Sequence, residues 1–262
     1  MKETTCYTII SRDVPLLEWC LTNARERAGI DHQWLVVLWV NDEREAQSVR
    51  GWCRTHSVRF VEHLATLEED YTTRTDWFLY NLYACWNKGY EEAHTPWVAR
   101  LGSDQFFSQD WLKNLHLAAD KYGEDALYHC NTVESMVAQG SRHEVRDWGV
   151  TYATFKERPF DRYAQDLAQR YAAQKALPAK DCNLYFRHPA RGIQLRPDGC
   201  TWLQKKSLWD QFGPLEDRVN QEWVTGDVDY MDRLDDAGVP GYLVPTSTTY
   251  HLVRGESREI QQ

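Results

Sequence analysis

Apolar positions in the first 130 residues alternate between short continuous runs and longer stretches with helical spacing. Residues 6–10 form a short apolar run that predicts a strand. Leu16, Leu17, Cys20, Leu21, Ala24 and Ala28 then recur at helical spacing, and Gly29 stands where a helix C-cap belongs. Residues 34–40, Trp-Leu-Val-Val-Leu-Trp-Val, are apolar throughout, as a parallel strand buried on both faces should be. A second helix follows through Ala46, Val49, Trp52 and Cys53, and residues 58–61 read as a strand. A third helix is predicted over about 77–93, and residues 97–101 give the next strand. Ser108 or Asp110 can cap a helix carrying Trp111, Leu112, Leu115, Ala118 and Ala119, closed by Gly123. Residues 126–130 return as a strand.

This βαβαβαβ order predicts an α/β fold with a mostly parallel, Rossmann-like sheet and helices on both faces. Ligands of such sheets bind at the carboxyl ends of the strands. From about 140 to 196 the pattern breaks down, apart from an amphipathic helix over 160–175 with Tyr163, Leu167, Tyr171 and Ala172 on one face. Order returns with a helix over 227–237, carrying Val228, Met231 and Leu234 and stopped by Gly238, and a strand over 242–244. The chain then leads through Pro245 to Tyr250 and His251. No repeat or low-complexity linker divides the chain, so one domain over 1–262 is expected.

Composition narrows the partners. The formal net charge is −9, which disfavours broad contact with a nucleic-acid backbone. Seven cysteines without a C-x-x-C pair suit free thiols better than a disulfide framework. No run of eighteen apolar residues occurs, and the first apolar stretch is too short for a signal peptide, so a cytoplasmic protein is expected. No G-x-G-x-x-G follows the first strand, and no P-loop, G-x-S-x-G elbow or H-E-x-x-H is present. The ligand of this fold must be held by other chemistry.

Three ordered segments supply a resemblance. The first is Asn87-Lys88-Gly89 with Glu91-Glu92-Ala93, followed by Trp97-Val98-Ala99-Arg100-Leu101-Gly102-Ser103-Asp104. The second is Gly226-Asp227-Val228-Asp229-Tyr230 with Arg233-Leu234 and Ala237-Gly238. The third is Val244-Pro245 with Tyr250-His251. In order and spacing they resemble the N-x-G…D-x-D, E-D-x-D-L…R-L…A-G and V-P…Y-H segments of GT-A nucleotide-sugar glycosyltransferases, in particular the large inverting group called family 2. The resemblance implies a single GT-A domain, with residues 1–130 binding the nucleotide-sugar. Residues 131–262 would bind acceptor and catalyse, with an insertion at about 140–196.

It also implies roles. A divalent cation, Mn²⁺ or Mg²⁺, bridges the donor's phosphates and neutralises the charge that builds as the diphosphate leaves. Asp104 and His251 would be its protein ligands, His251 being reached by a C-terminal segment that orders on donor binding. The first carboxylate of D-x-D is absent, because Gly102 stands in its place with Ser103 beside it. Asp227 occupies the position of the general base, which makes transfer a direct displacement with inversion; Glu222 is the reserve. Ser11, Arg12, Asp42, Asn87, Ser103 and Arg254 are the implied donor-binding residues. Asp42 and Asp104 are also natural helix caps, Asp227 suits a helix start, and Asp229 is placed to pair with Arg233 four residues on.

The implied donor is a UDP- or GDP-sugar, and the transferred group a hexose or pentose. Arg187, His188, Arg191, Arg196, Lys205 and Lys206 lie near Tyr185 and Trp202. That set would suit an anionic acceptor: an acidic or lipid-linked glycan, or a modified nucleic-acid base. Two rival readings remain open. A non-catalytic nucleotide-sugar or glycan-binding module on the same fold is motivated by Gly102 and Gly226. A nucleotidyltransferase would normally carry a Gly-rich loop after the first strand, which Ser11-Arg12-Asp13-Val14-Pro15 is not.

Overall fold

The computed structural model describes residues 2–135, 145–146, 148–179, 197–215 and 226–252. The chain opens with β1 (Thr4–Ile10), α1 (Val14–Glu26), β2 (Gln33–Val40), α2 (Glu43–Thr55) and β3 (Arg59–Leu64). Then come α3 (Arg74–Glu92), β4 (Trp97–Leu101), β5 (Gln105–Phe107), α4 (Trp111–Tyr122) and β6 (Leu127–Ser135). After β7 (Val145–Arg146), α5 (Glu157–Arg170) and β8 (Leu177–Pro178) come β9 (Pro197–Lys205), α6 (Lys206–Phe212), α7 (Gly226–Asp236) and β10 (Gly241–His251). The strands join one sheet in the order β3-β2-β1-β4-β9-β6-β10-β5, with β7 on β6 and β8 on β10.

The first four strands are parallel, as the alternation predicts. Side chains alternate across them. Cys6, Ala99 and Leu101 pack with α1 and α4, whereas Tyr7, Leu35, Val37 and Val98 pack with α3 and α7. Helix α3 lies tightly on β1, because a Cβ at Gly89 would fall 2.0 Å from the Tyr7 ring. Tyr7 is held in turn by its hydroxyl, which donates to Trp86 O at 2.9 Å.

The sheet as a whole is mixed: most of its strand pairs are parallel, as expected, but three strands run against their neighbours. β9 runs antiparallel between β4 and β6, and β5 and β8 run antiparallel to β10. An antiparallel strand needs no crossover helix, so β9 lacks the βα alternation that marks the first four. Its buried positions also include Thr201 and Gln204, which mask an apolar run.

β6 and β10 are likewise longer than their apolar stretches. Beyond Cys130 and Val244 they continue through buried Asn131, Thr132, Thr248 and Thr249, with Thr249 Oγ1 and Thr132 Oγ1 hydrogen-bonded at 3.1 Å. Pro245 is tolerated because the β6–β10 register shifts between Val244 and Thr248. His251 therefore ends a strand, opposite Gln105 of β5 and Glu134 of β6. The C-terminal segment expected to carry it is thus the end of β10. No helix among the described residues is long and apolar enough to cross a membrane.

One buried titratable group couples this core to pH. His116 on α4 is 6% exposed, and its Nε2 hydrogen-bonds Thr4 Oγ1 at 2.8 Å. Burial first, and the Lys2 charge second, push its pKa down to about 4. The unfolded chain therefore binds this proton more readily than the folded one. The contribution of neutral His116 is complete above about pH 6.5 and is lost as the pH falls towards about 4. The shift corresponds to roughly 3 kcal/mol. Calorimetric Tm should fall across that window, and His116→Gln should flatten the fall; an unchanged slope would exclude His116 as its source.

Candidate active site

The order β3-β2-β1-β4 reverses direction at β1, so the loops after β1 and β4 part and leave a crevice at their carboxyl ends. A cavity fills it. Ile9, Ile10 and Ser11 from the end of β1, Trp39 of β2, and Gly102, Ser103 and Asp104 after β4 line its floor and rim. Phe78, Leu82, Tyr83 and Trp86 of α3 make an apolar wall. Arg100, Gly199, Cys200, Asp227 and His251 complete it.

Five residues singled out from sequence thus meet here: Ser11, Ser103, Asp104, Asp227 and His251. Asp104 is buried, and its Oδ2 lies 3.1 Å from Nε2 of His251. Main-chain bonding holds that pair: β5 and β10 are antiparallel neighbours, and Leu252 N donates to Asp104 O at 3.0 Å. A carboxylate and an imidazole are a donor set suited to Mn²⁺, and the carboxylate also suits Mg²⁺. Among the described residues no group of three or more His, Cys, Asp or Glu gathers to cage an ion.

Asp227 stands in the first turn of α7, and Tyr83 donates its hydroxyl to Oδ1 at 3.1 Å. Its Oδ2 lies against Gly199, 3.3 Å from where a Cβ would be. Asp229 does pair with Arg233, at 2.9 Å.

Other candidates lie elsewhere. Asp42 is exposed and caps α2, accepting from Glu45 N at 2.9 Å. Asn87 is buried and bonded in both directions to the backbone of Leu215, each at 2.8 Å, so its amide is structural and outside the cavity lining. Arg12 is half-buried and also outside the lining. Glu222 and Arg254 lie outside the described residues, as do Tyr185, Arg187, His188, Arg191 and Arg196. Trp202 is buried, donating Nε1–H to Tyr90 Oη at 2.6 Å. Lys205 pairs with Glu124 and Asp125, and Lys206 with Asp210. This part of the expected acceptor surface is therefore occupied by core packing and local ion pairs.

Sequence reasoning missed Trp39, Tyr83 and Arg100. Each reads as an ordinary strand or helix residue, and only the fold turns it towards the crevice. Trp39 Nε1 and Arg100 Nη1 are both buried without a hydrogen-bond partner.

No family model matches the sequence, and no curated protein matches it either. The fold is nevertheless shared with solved proteins. A crystal structure of GalNAc-T7 with UDP, GalNAc and Mn²⁺ superposes with a TM-score of 0.57 at 12% identity, over 97% of this chain. The chain spans 44% of the length of that protein. It has a GT-A-like fold.

The absent carboxylate at position 102 has a structural counterpart. Gln105 reaches back so that its Oε1 accepts from Gly102 N at 3.1 Å and from the Thr201 hydroxyl. A Cβ at 102 would lie 3.0 Å from that carboxamide and 3.3 Å from Asp104 Oδ1. Gly102→Asp should therefore displace Gln105 and cost about 1–3 kcal/mol in chemical denaturation. A variant as stable as the parent would show that Gln105 does not hold this loop.

Proposed function

We propose that this chain is a metal-dependent glycosyltransferase that moves a sugar from a nucleotide-diphosphate donor to an acceptor hydroxyl, with inversion. The supporting observation is the convergence of Asp104, His251 and Asp227 on one crevice of a GT-A-like sheet. The similar GalNAc-T7 structure contains UDP and Mn²⁺, which makes UDP the first donor nucleotide to test, with GDP next.

In this reading the nucleotide lies against the ends of β1 and β2, with Ser11 and Trp39 beside it. Asp104 and His251 would hold the cation, which when bound would supply positive charge to the departing diphosphate. Asp227 takes the proton from the acceptor hydroxyl. The freed oxygen bonds to the anomeric carbon as the bond from that carbon to the phosphate oxygen breaks, and the nucleoside diphosphate leaves with the electron pair. Tyr83 orients the carboxylate by occupying Oδ1 and leaving Oδ2 for the acceptor.

A non-catalytic nucleotide-sugar module is the second reading, and the neutral Gln105 in place of a carboxylate favours it. Thermal denaturation with UDP- and GDP-sugars, with and without Mn²⁺, tests binding. At a hundredfold excess over Kd the stabilisation should be about 2.7 kcal/mol. Asp104→Ala should remove the Mn²⁺ effect while the protein stays folded. Asp227→Asn should cut kcat by about 10²–10⁴-fold and leave donor affinity nearly unchanged. Retained metal-enhanced binding in the first variant would overturn the cation assignment. Metal-dependent binding with no nucleotide release, with or without acceptor, would favour the binding module.

A further inference from the structure

Arg100 is the most deeply buried cation bordering the crevice, at 1% exposure. Its guanidinium lies between two indoles, 4.3 Å from the Trp86 ring centroid and 3.4 Å from that of Trp202. Nε donates to Cys200 O at 3.2 Å and Nη2 donates to Gly199 O. Nη1 is buried with no partner, and among the described residues no carboxylate pairs with the group.

Ring faces and carbonyl oxygens offset only part of the cost of burying a full charge. The other ionic groups of the cavity are engaged elsewhere: Asp104 meets His251, and Asp227 meets Tyr83. Two residues along the strand from Arg100, the position that could carry a carboxylate is Gly102, and the neutral Gln105 fills its space. Among the described residues neither carboxylate of the lining bonds Arg100, and Nη1 is left without an acceptor.

The contact to Gly199 sets where the missing acceptor belongs. Gly199 abuts Asp227, so Arg100 stands beside the carboxylate that faces the reacting sugars and not beside the Asp104–His251 pair. We infer that Arg100 is a specificity-determining residue that receives a carboxylate carried by one of the two sugars, so that the substrate class is an acidic, uronate-type saccharide. This rests on the glycosyltransferase reading. A neutral hydroxyl would accept an ordinary bond from Nη1, whereas a carboxylate accepts a shorter, charge-assisted one and can take two guanidinium N–H groups at once.

The test compares matched ligands on the whole protein with Mn²⁺. Calorimetry sets UDP-glucuronate against UDP-glucose, and a GDP-uronate against GDP-mannose, for the donor source. A uronate against a hexose monosaccharide, titrated by NMR with nucleotide and Mn²⁺ saturating, covers the acceptor source. In one arm the acidic ligand should bind about tenfold to a hundredfold tighter. Arg100→Gln should erase that preference, and Arg100→Lys should keep part of it. Equal affinities in both arms of the unmodified protein overturn the inference, whatever the variants do, and leave the donor reading standing. So does an Arg100→Gln protein that loses affinity for UDP or GDP alone as much as for the sugar nucleotides, since Arg100 then serves the diphosphate. If no nucleotide binds at all, the glycosyltransferase reading fails and this inference falls with it.

Discussion

The double pairing of β4 is the constraint on which the crevice depends. This strand of five residues is bonded parallel to β1 on one edge and antiparallel to β9 on the other, and every position is buried. Period-two alternation sends Ala99 and Leu101 into the core with α1 and α4, and Val98 and Arg100 to the face covered by α3. A slip of one residue would exchange the faces. Arg100 would then enter an apolar core, and Asp104 would leave the position where it meets His251. The register of β4 thus sets at once the packing of both layers and the chemistry of the rim.

Sequence periodicity located the elements that bury one clean apolar surface. β1 to β4, the helices between them, α4 and α7 all agree with their expected positions to within a few residues. What it missed has a common cause. In β6, β9 and β10 the buried positions hold Asn131, Thr132, Thr201, Gln204, Ser247 and Thr248, whose polar atoms are largely paired within the sheet and hide the strand pattern. The rim residues Asp104, Asp227 and His251 were visible only through their order along the chain, because spacing alone leaves each of them an ordinary cap or strand end. Arg100 and Trp39 carried no signal, since nothing local distinguishes a strand residue that faces a crevice from one that faces a helix.

Gln105 explains how the loop keeps its shape without an acidic residue at 102. It lies in β5, pairs in register with His251, and reaches both the Gly102 amide and the Thr201 hydroxyl. Gln105 therefore ties the turn after β4 to β9 through its side chain and stands against the last residue of β10 through its backbone. The arrangement spares the cavity a second carboxylate next to Asp104, and the electrostatic balance around Arg100 follows from that economy.

The Asp104–His251 approach is set by main-chain ladders, with the bond from Leu252 N to Asp104 O closing beside it. Such a scaffold decouples spacing from side-chain identity. Under the proposed role of the pair as cation ligands, an exchange at either position alters the hardness of the donor set while the two backbones stay where they are. Preference among divalent ions can then drift by single substitutions over evolutionary time, without any renegotiation of the fold that carries them.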